Sequence, residues 1–323
     1  MKDSLRILTA AVALVMWSGS AVSQDPDGIP AIGVLRASSA TQNDPAMEAM
    51  RAELRAMGYL EGQNIRIEQR FADRHPERLP QLAGELVRMK VKMIVAVNEA
   101  SLRAAKQATS TIPIIVIAYD HDPVASGLID RTNRPGGNVT GIFSRQVELG
   151  GKRLELLKET VPGLTRVAVL HDPASHDAED LEAAGKQLGL RLRLIELKNP
   201  KEFESAIKLA AKSAQAAILL FSPMIFDYRI RLASLAAEVR LPTMTQAREF
   251  VVAGALMSYA PNRTEVALRT AYFIDRLLRG AAAGDLPVEE AATFRLTLNL
   301  TTAKALGLTI PQSILLRTDE VIR

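Results

Sequence analysis

The chain of 323 residues contains no cysteine. That excludes disulfides, thiolate chemistry and a lipid-modified N-terminal cysteine, and it fits an oxidising compartment such as the periplasm. Aromatic residues are few, and the single tryptophan, Trp17, lies in the N-terminal segment. Lys and Arg are scattered among Asp and Glu, as in AELRAMGYLEGQNIRIEQRFADR, which reads as a solvated surface. There is no dense basic stripe with interleaved aromatics, so nucleic acid is not expected as a partner. Beyond the N-terminal segment no apolar run is long enough to span a membrane.

That segment has its own layout. Lys2 and Arg6 make a basic start, an apolar run extends from Ile7 to Trp17, and the small residues SGSAVS follow. Ala21 and Ser23 fit the −3 and −1 positions of a cleavage point, so residues 1–23 read as a secretory signal peptide and the mature start falls near Gln24. Loss of Lys2, Arg6 and Asp3 takes the formal charge from +4 to +3. The remaining length, about 300 residues, is twice a common domain and predicts two lobes.

Short β-rich apolar runs alternate with helical patterns almost throughout. AIGVL (31–35) predicts a strand and residues 44–57 a helix, with Asp44 as N-cap, Pro45 in the first turn, and Met47, Met50, Leu54 and Met57 as a core-facing stripe. Further strands are predicted at 65–71, 93–97, 114–120 and 138–143. A second series then begins, with strands at 167–172, 192–198, 216–222, 242–246 and 255–260 and helices between them, including one from 226 to 239. A helix at 263–279 and a strand at 293–299 follow, as in a chain that returns between lobes. Continuous apolar strands separated by helices predict an α/β fold: two Rossmann-like lobes, each a parallel sheet flanked by helices, joined by a multi-segment hinge. The expected division is 28–141 plus 262–285 for the first lobe and 142–261 plus 286–323 for the second.

Two stretches rhyme: AYDHDPVASG (118–127) and VLHDPASHD (169–177). Each sets His-Asp-Pro at the end of an apolar run, one in each lobe, where loops after parallel strands line a crevice. Asp122 and Asp172 suit caps of the following turns, with Pro123 and Pro173 next, so the repeat reads first as a structural joint. A metal site would draw on His121, His171 and His176 with Asp120, Asp122 or Asp172, but no paired-His spacing of known kind is present. Catalysis is not expected: no Gly-x-Ser-x-Gly elbow exists, and adjacent His and Asp at a strand end point opposite ways. RPGGNVTG lacks the Gly-Lys-Ser/Thr of a phosphate loop and reads as the first inter-lobe crossover, with Gly136 and Gly137 permitting bending.

Six segments in order carry a resemblance: ELRAMGYLEGQNIRIEQRFAD, AKQATSTIPIIVIAYDHDPVASGLI, RPGGNVTGI, GKRLELLKETVPGLTRVAVLHDP, GALMSYAPN and LNLTTAKALGLTIPQSILLRTDEVI. Together they resemble the tryptophan/tyrosine-type family of ABC-transporter substrate-binding proteins, the TrpX-like group, over about residues 29–322. The resemblance implies a periplasmic-binding-protein fold of type I, in which two Rossmann-like lobes close over a small solute with no catalysis and no cofactor. The sequence departs from that family's usual residues at His121, Asp172, Ala247 and Ala260.

The expectation is a secreted, periplasmic, monomeric protein of an ABC importer that takes a small solute between closing lobes and delivers it to a membrane permease. Candidate contacts from the first lobe are Ser38, Ser39, Thr41, Asn98, Glu99, Ser101 and Asp120; from the second, Asp172, Ser175, Ser222, Gln246, Arg248 and Tyr259. Backbone N–H groups at the helix starts after Ser39 and Asn98 would hold a carboxylate, and Asp120 or Asp172 an amine. The expected ligand class is an amino-acid-like zwitterion, with a peptide, sugar or purine-like solute as alternatives. Two other readings stay open: a periplasmic sensor that presents its closed form to a membrane receptor, and a metal-binding solute protein that uses the His-Asp-Pro loops.

Overall fold

The computed structural model describes residues 28–40, 44–118, 122–144, 146–173 and 177–323. The expected signal peptide lies outside them, as do Thr41, Asp120, His121, Ser175 and His176.

The first series of strands is Ala31–Arg36 (β1), Arg66–Phe71 (β2), Met93–Val97 (β3), Ile114–Ala118 (β4) and Val139–Phe143 (β5). The helices between them are Pro45–Ala56 (α1), Leu79–Arg88 (α2) and Glu99–Ala108 (α3). In β1 the side-chain period of two sends Ile32 and Val34 to one face, against Met47, Met50 and Leu54 of α1. Ala31 and Leu35 go to the other, against Leu82 and Leu86 of α2. The methionine stripe is therefore core, except that Met57 caps the helix and is half-exposed.

The second series comprises Arg166–His171 (β6), Arg191–Glu196 (β7), Ala216–Leu219 (β8), Thr243–Thr245 (β9) and Met257–Pro261 (β10). Its helices are Gln146–Thr160 (α4), Asp177–Gln187 (α5), Phe203–Ser213 (α6), Pro223–Asp227 (α7), Arg229–Glu238 (α8) and Arg248–Val252 (α9). Val167 and Val169 face one core; Ala168 and Leu170 face the other. The single helix expected at 226–239 is two, broken at Tyr228, because Pro223 starts α7 three residues early and Ser222 caps it.

The chain then returns. Arg263–Leu278 (α10) packs on the α1 face of the first sheet through Val266, Ala267, Phe273 and Ile274. Val288–Glu290 (β11) pairs parallel with β5. Phe294–Asn299 (β12) crosses to the second lobe and pairs antiparallel with β10, and Leu300–Ala305 (α11), Gln312–Arg317 (α12) and Glu320–Ile322 (β13) complete it. The sheet orders are β11-β5-β4-β3-β1-β2 and β13-β12-β10-β9-β8-β6-β7.

Three expectations need correction. Ile142 and Phe143 end β5 in the first sheet, so the first crossing falls after 143 rather than at 141–142. Residues 288–290 belong to the first sheet, so the last crossing falls at 291–293 rather than at 285–286. Three residues of charged VEE carry too weak a strand signal to be read alone. Likewise Gly136 and Gly137 precede β5 and lie within the first lobe, so they form no crossover. Their φ angles of 68° and 58° make a left-handed turn, and a Cβ on nearby Gly284 would meet the Gly137 carbonyl oxygen at 2.8 Å. The crossings themselves are tied together: Ala291 N–H donates to Phe143 O (2.8 Å) and Asn262 N–H to Thr293 O (3.0 Å).

Candidate functional site

The carboxyl ends of strands from both sheets meet in one cleft. Its cavity is lined from the first lobe by Arg36, Ala37, Ser38, Asp44, Pro45, Val97 and Asn98, and from the second by Phe221, Pro223, Phe226, Arg229 and Glu249. Arg263, at the start of α10, reaches it from a crossing.

Each lining residue is placed by local chemistry. Arg36 ends β1 and donates through Nη1 to Asp44 Oδ2. Asp44 Oδ1 meanwhile caps α1, accepting from Ala46 N–H (3.1 Å) and Met47 N–H (3.3 Å). Burial opposes ionisation of Asp44, but the Arg36 charge and hydrogen bond, the Arg263 charge and the Met47 N–H together hold its carboxyl below the usual carboxylate value. Asn98 adopts a φ of 82°, and its Oδ1 caps α3 by accepting from Ser101 N–H (3.0 Å). A non-glycine residue with positive φ in a cleft is a strained position held by its surroundings.

On the second lobe, Phe221 and Phe226 pack at 5.4 Å between ring centroids. The guanidinium carbons of Arg229 and Arg263 lie 4.8 and 5.4 Å from the Phe226 ring centroid, a cation–π arrangement. Arg229 Nη1 donates to Phe226 O (3.1 Å), and its charge also acts on the nearby Asp227 carboxylate. Glu249 Oε1 lies 3.4 Å from Arg263 Nε. Among the described residues, the buried polar atoms of the lining that lack a hydrogen-bond partner include Arg36 Nε, a donor, and Glu249 Oε2, an acceptor.

Of the residues expected from sequence, Ser38 and Asn98 line the cavity. Ser222 and Gln246 stand directly behind it. Ser222 Oγ caps α7 by accepting from Ile225 N–H (3.2 Å), and Gln246 Oε1 accepts from Phe221 N–H (2.8 Å). Ser39 offers its backbone N–H across the cleft to Asp227 Oδ2 (3.2 Å). The other described candidates are not among the lining residues. Glu99 pairs with Arg103 (2.5 Å), Ser101 is fully buried, and Arg248 forms a bidentate pair with Glu320 (2.6 and 2.5 Å). Tyr259 is half-buried, and its carbonyl accepts from Arg153 Nε (2.8 Å). Asp172 follows β6, and its carbonyl lies 3.2 Å from His171 Nδ1. Thr41, Asp120 and Ser175 lie outside the described residues. The helix-start N–H groups after Ser39 and Asn98 carry side-chain caps, from Asp44 and Asn98. Asp122 accepts from Val124 N–H (2.8 Å) and Ala125 N–H (3.2 Å), as expected of a structural joint.

Sequence reading missed Arg36, Phe221, Phe226, Arg229, Glu249 and Arg263, and read Asp44 only as a cap. Arg36 and Phe221 immediately follow buried strand residues, a signal that was available. Glu249, Arg229 and Arg263 reach the cavity from helix starts, which no periodicity announces.

Two α/β lobes joined by three crossings and meeting at strand ends define a two-lobed binding protein. Residues 31–322 match the family described as ABC transporter substrate binding protein, and the chain belongs to it. A curated relative, the tyrosine-binding protein of Clostridioides difficile (strain R20291), is 25% identical over 269 residues, covering 82% of this chain and 77% of the relative. The crystal structure of a conserved domain protein from Vibrio cholerae superposes with a TM-score of 0.81 at 26% identity, covering 90% of this chain and 99% of that one. The ABC domain from Streptococcus pneumonia in complex with L-Trp shares the fold, with a TM-score of 0.82 at 23% identity over 91% of this chain and 100% of that one. The fold is thus the type I periplasmic-binding-protein fold, and the protein is a substrate-binding protein of the ABC-transporter family, a family of solute binders rather than enzymes. Among the described residues no helix is long and apolar enough to cross a membrane.

Proposed function

We propose that the protein is secreted, captures an amino-acid-like zwitterion between its lobes, and hands it to a membrane permease. One observation carries the ligand class: the cavity lining holds a buried donor, Arg36 Nε, and a buried acceptor, Glu249 Oε2, both without partners. A buried polar group left unpaired costs about 1–3 kcal/mol, so a solute bearing both an acceptor and a donor removes two penalties at once. Arg229 and Arg36 receive the carboxylate. Glu249 Oε2 receives the ammonium group. Val97, Pro223, Phe221 and Phe226 supply an apolar surface for the side chain.

The solute touches both lobes, so it binds the closed form better than the open one, and that difference drives closure. The tyrosine-binding relative supports this class. The test is native mass spectrometry of the purified protein, before and after mild unfolding, with a thermal-shift screen of amino acids, sugars and divalent metals. A bound mass matching an amino acid, or stabilisation by amino acids, is expected. Stabilisation by metals or neutral sugars alone overturns the reading.

A further inference from the structure

Away from the cavity, the lobes grip each other at a second place. Asp227, the last residue of α7, has a side chain only 7% exposed. Its Oδ2 accepts from Ser39 N–H at 3.2 Å and lies 3.9 Å from Arg74 Nε. The Arg74 guanidinium also sits over the ring of Tyr228, 4.9 Å from its centroid. Ser39, Arg74, Asp227 and Tyr228 do not line the cavity.

Both halves of this grip are held rigid. Ser39 follows β1 and Arg74 follows β2, neighbouring strands in parallel register. Ala72 N–H donates to Arg36 O and Arg74 N–H to Ala37 O, each at 2.9 Å, so the two loops continue the sheet. Arg78 Nη1 binds Asp73 Oδ2 (2.8 Å). Asp73 and Arg74 have φ angles of 54° and 68°, two consecutive non-glycine residues in the left-handed region. Such backbone costs energy and persists where surrounding contacts over-determine it. Opposite, Ser222 caps α7, and the Tyr228 ring meets Phe203 edge-on at 5.5 Å.

We propose that the Ser39–Asp227–Arg74 contact is a latch that favours the closed form with no solute present, so that residues the solute never touches set part of its affinity. The latch rests on the reading that the lobes close over a solute. A protein whose competent state is fractionally populated binds with an affinity reduced by that fraction. Loss of the latch therefore weakens binding by about tenfold, chiefly through faster dissociation.

The test uses the absence of cysteine. Nitroxide labels on exposed Gln107→Cys in the first lobe and Lys201→Cys in the second report the inter-lobe distance by pulsed electron spin resonance. With no solute added, Asp227→Ala is expected to lengthen the distance distribution, Arg74→Ala to lengthen it less, and the combined variant to match Asp227→Ala. Superimposable distributions for the parent and Asp227→Ala overturn the latch, as do fully additive effects in the combined variant. Thermal unfolding confirms that each variant is folded, and the surface change Arg74→Ala carries the test if Asp227→Ala does not fold. Adding the amino acid that most stabilises the parent then tests capture separately. Failure of any solute to close an opened variant counts against capture and leaves the latch result standing.

Discussion

Arg36 at the end of the first strand is ion-paired with Asp44 at the start of the first helix, eight residues later, and both line the inter-lobe cavity. One carboxylate thereby joins strand, helix and site: Oδ2 takes the guanidinium and Oδ1 caps α1.

Asp44→Asn keeps the cap and breaks the ion pair, at a cost of about 1–3 kcal/mol at neutral pH. Because Asp44 titrates below its ordinary value of 3.8 when folded, the pair's contribution is fully present above that value and is lost as pH falls through the lower folded one. Urea unfolding midpoints should differ between parent and variant at pH 7 and draw together as the pH is lowered below 3.8.

Much of this architecture is legible in the chain. Met93–Val97 and Ile114–Ala118 are continuous apolar runs because both faces of their sheet are covered, and that alone announces parallel strands. Asp44-Pro45 is legible as a helix start because capping is local. The His-Asp-Pro segment at Asp122 is legible as a joint for the same reason. What stays hidden depends on tertiary placement. Glu249 and Arg263, fourteen residues apart, become neighbours only after β10 folds back. Strand β11 draws its identity from pairing with β5, and nothing in its own three residues supplies it. Arg248 resembles a cleft residue by position, yet Glu320 of the distant edge strand claims it.

Arg229→Ala removes one of the cavity's cations. Hydrogen bonds to charged groups contribute about 1.5–3 kcal/mol, so amino-acid affinity should fall about 10- to 150-fold with little change in melting temperature. Calorimetric titration of the two proteins measures this. Arg229→Lys should recover only part, because an ammonium lacks the planar fork.

Gln246→Ala leaves the N–H of half-buried Phe221 without its acceptor. A stability loss of about 1–3 kcal/mol is expected. Ligand affinity should fall as well, since Phe221 lines the cavity while Gln246 does not. Denaturant unfolding alongside ligand titration separates the two effects.

Gly141→Ala tests the fold. Gly141 has a φ of 138°, and a Cβ there would stand 2.1 Å from the Val116 carbonyl oxygen of the neighbouring strand. Strand and backbone cannot both stay in place, and a loss of about 3–5 kcal/mol is expected. A melting temperature equal to the parent's would contradict the packing of β4 on β5.

The most direct test of the central claim is calorimetric titration with the most stabilising amino acid, its carboxamide and its deaminated analogue, on the parent protein and on Glu249→Gln. If Arg229 and Arg36 hold the carboxylate and Glu249 the ammonium, both analogues bind the parent at least about tenfold more weakly, and Glu249→Gln no longer distinguishes the amino acid from its deaminated analogue. Equal binding of the amino acid and both analogues by the parent would contradict the account.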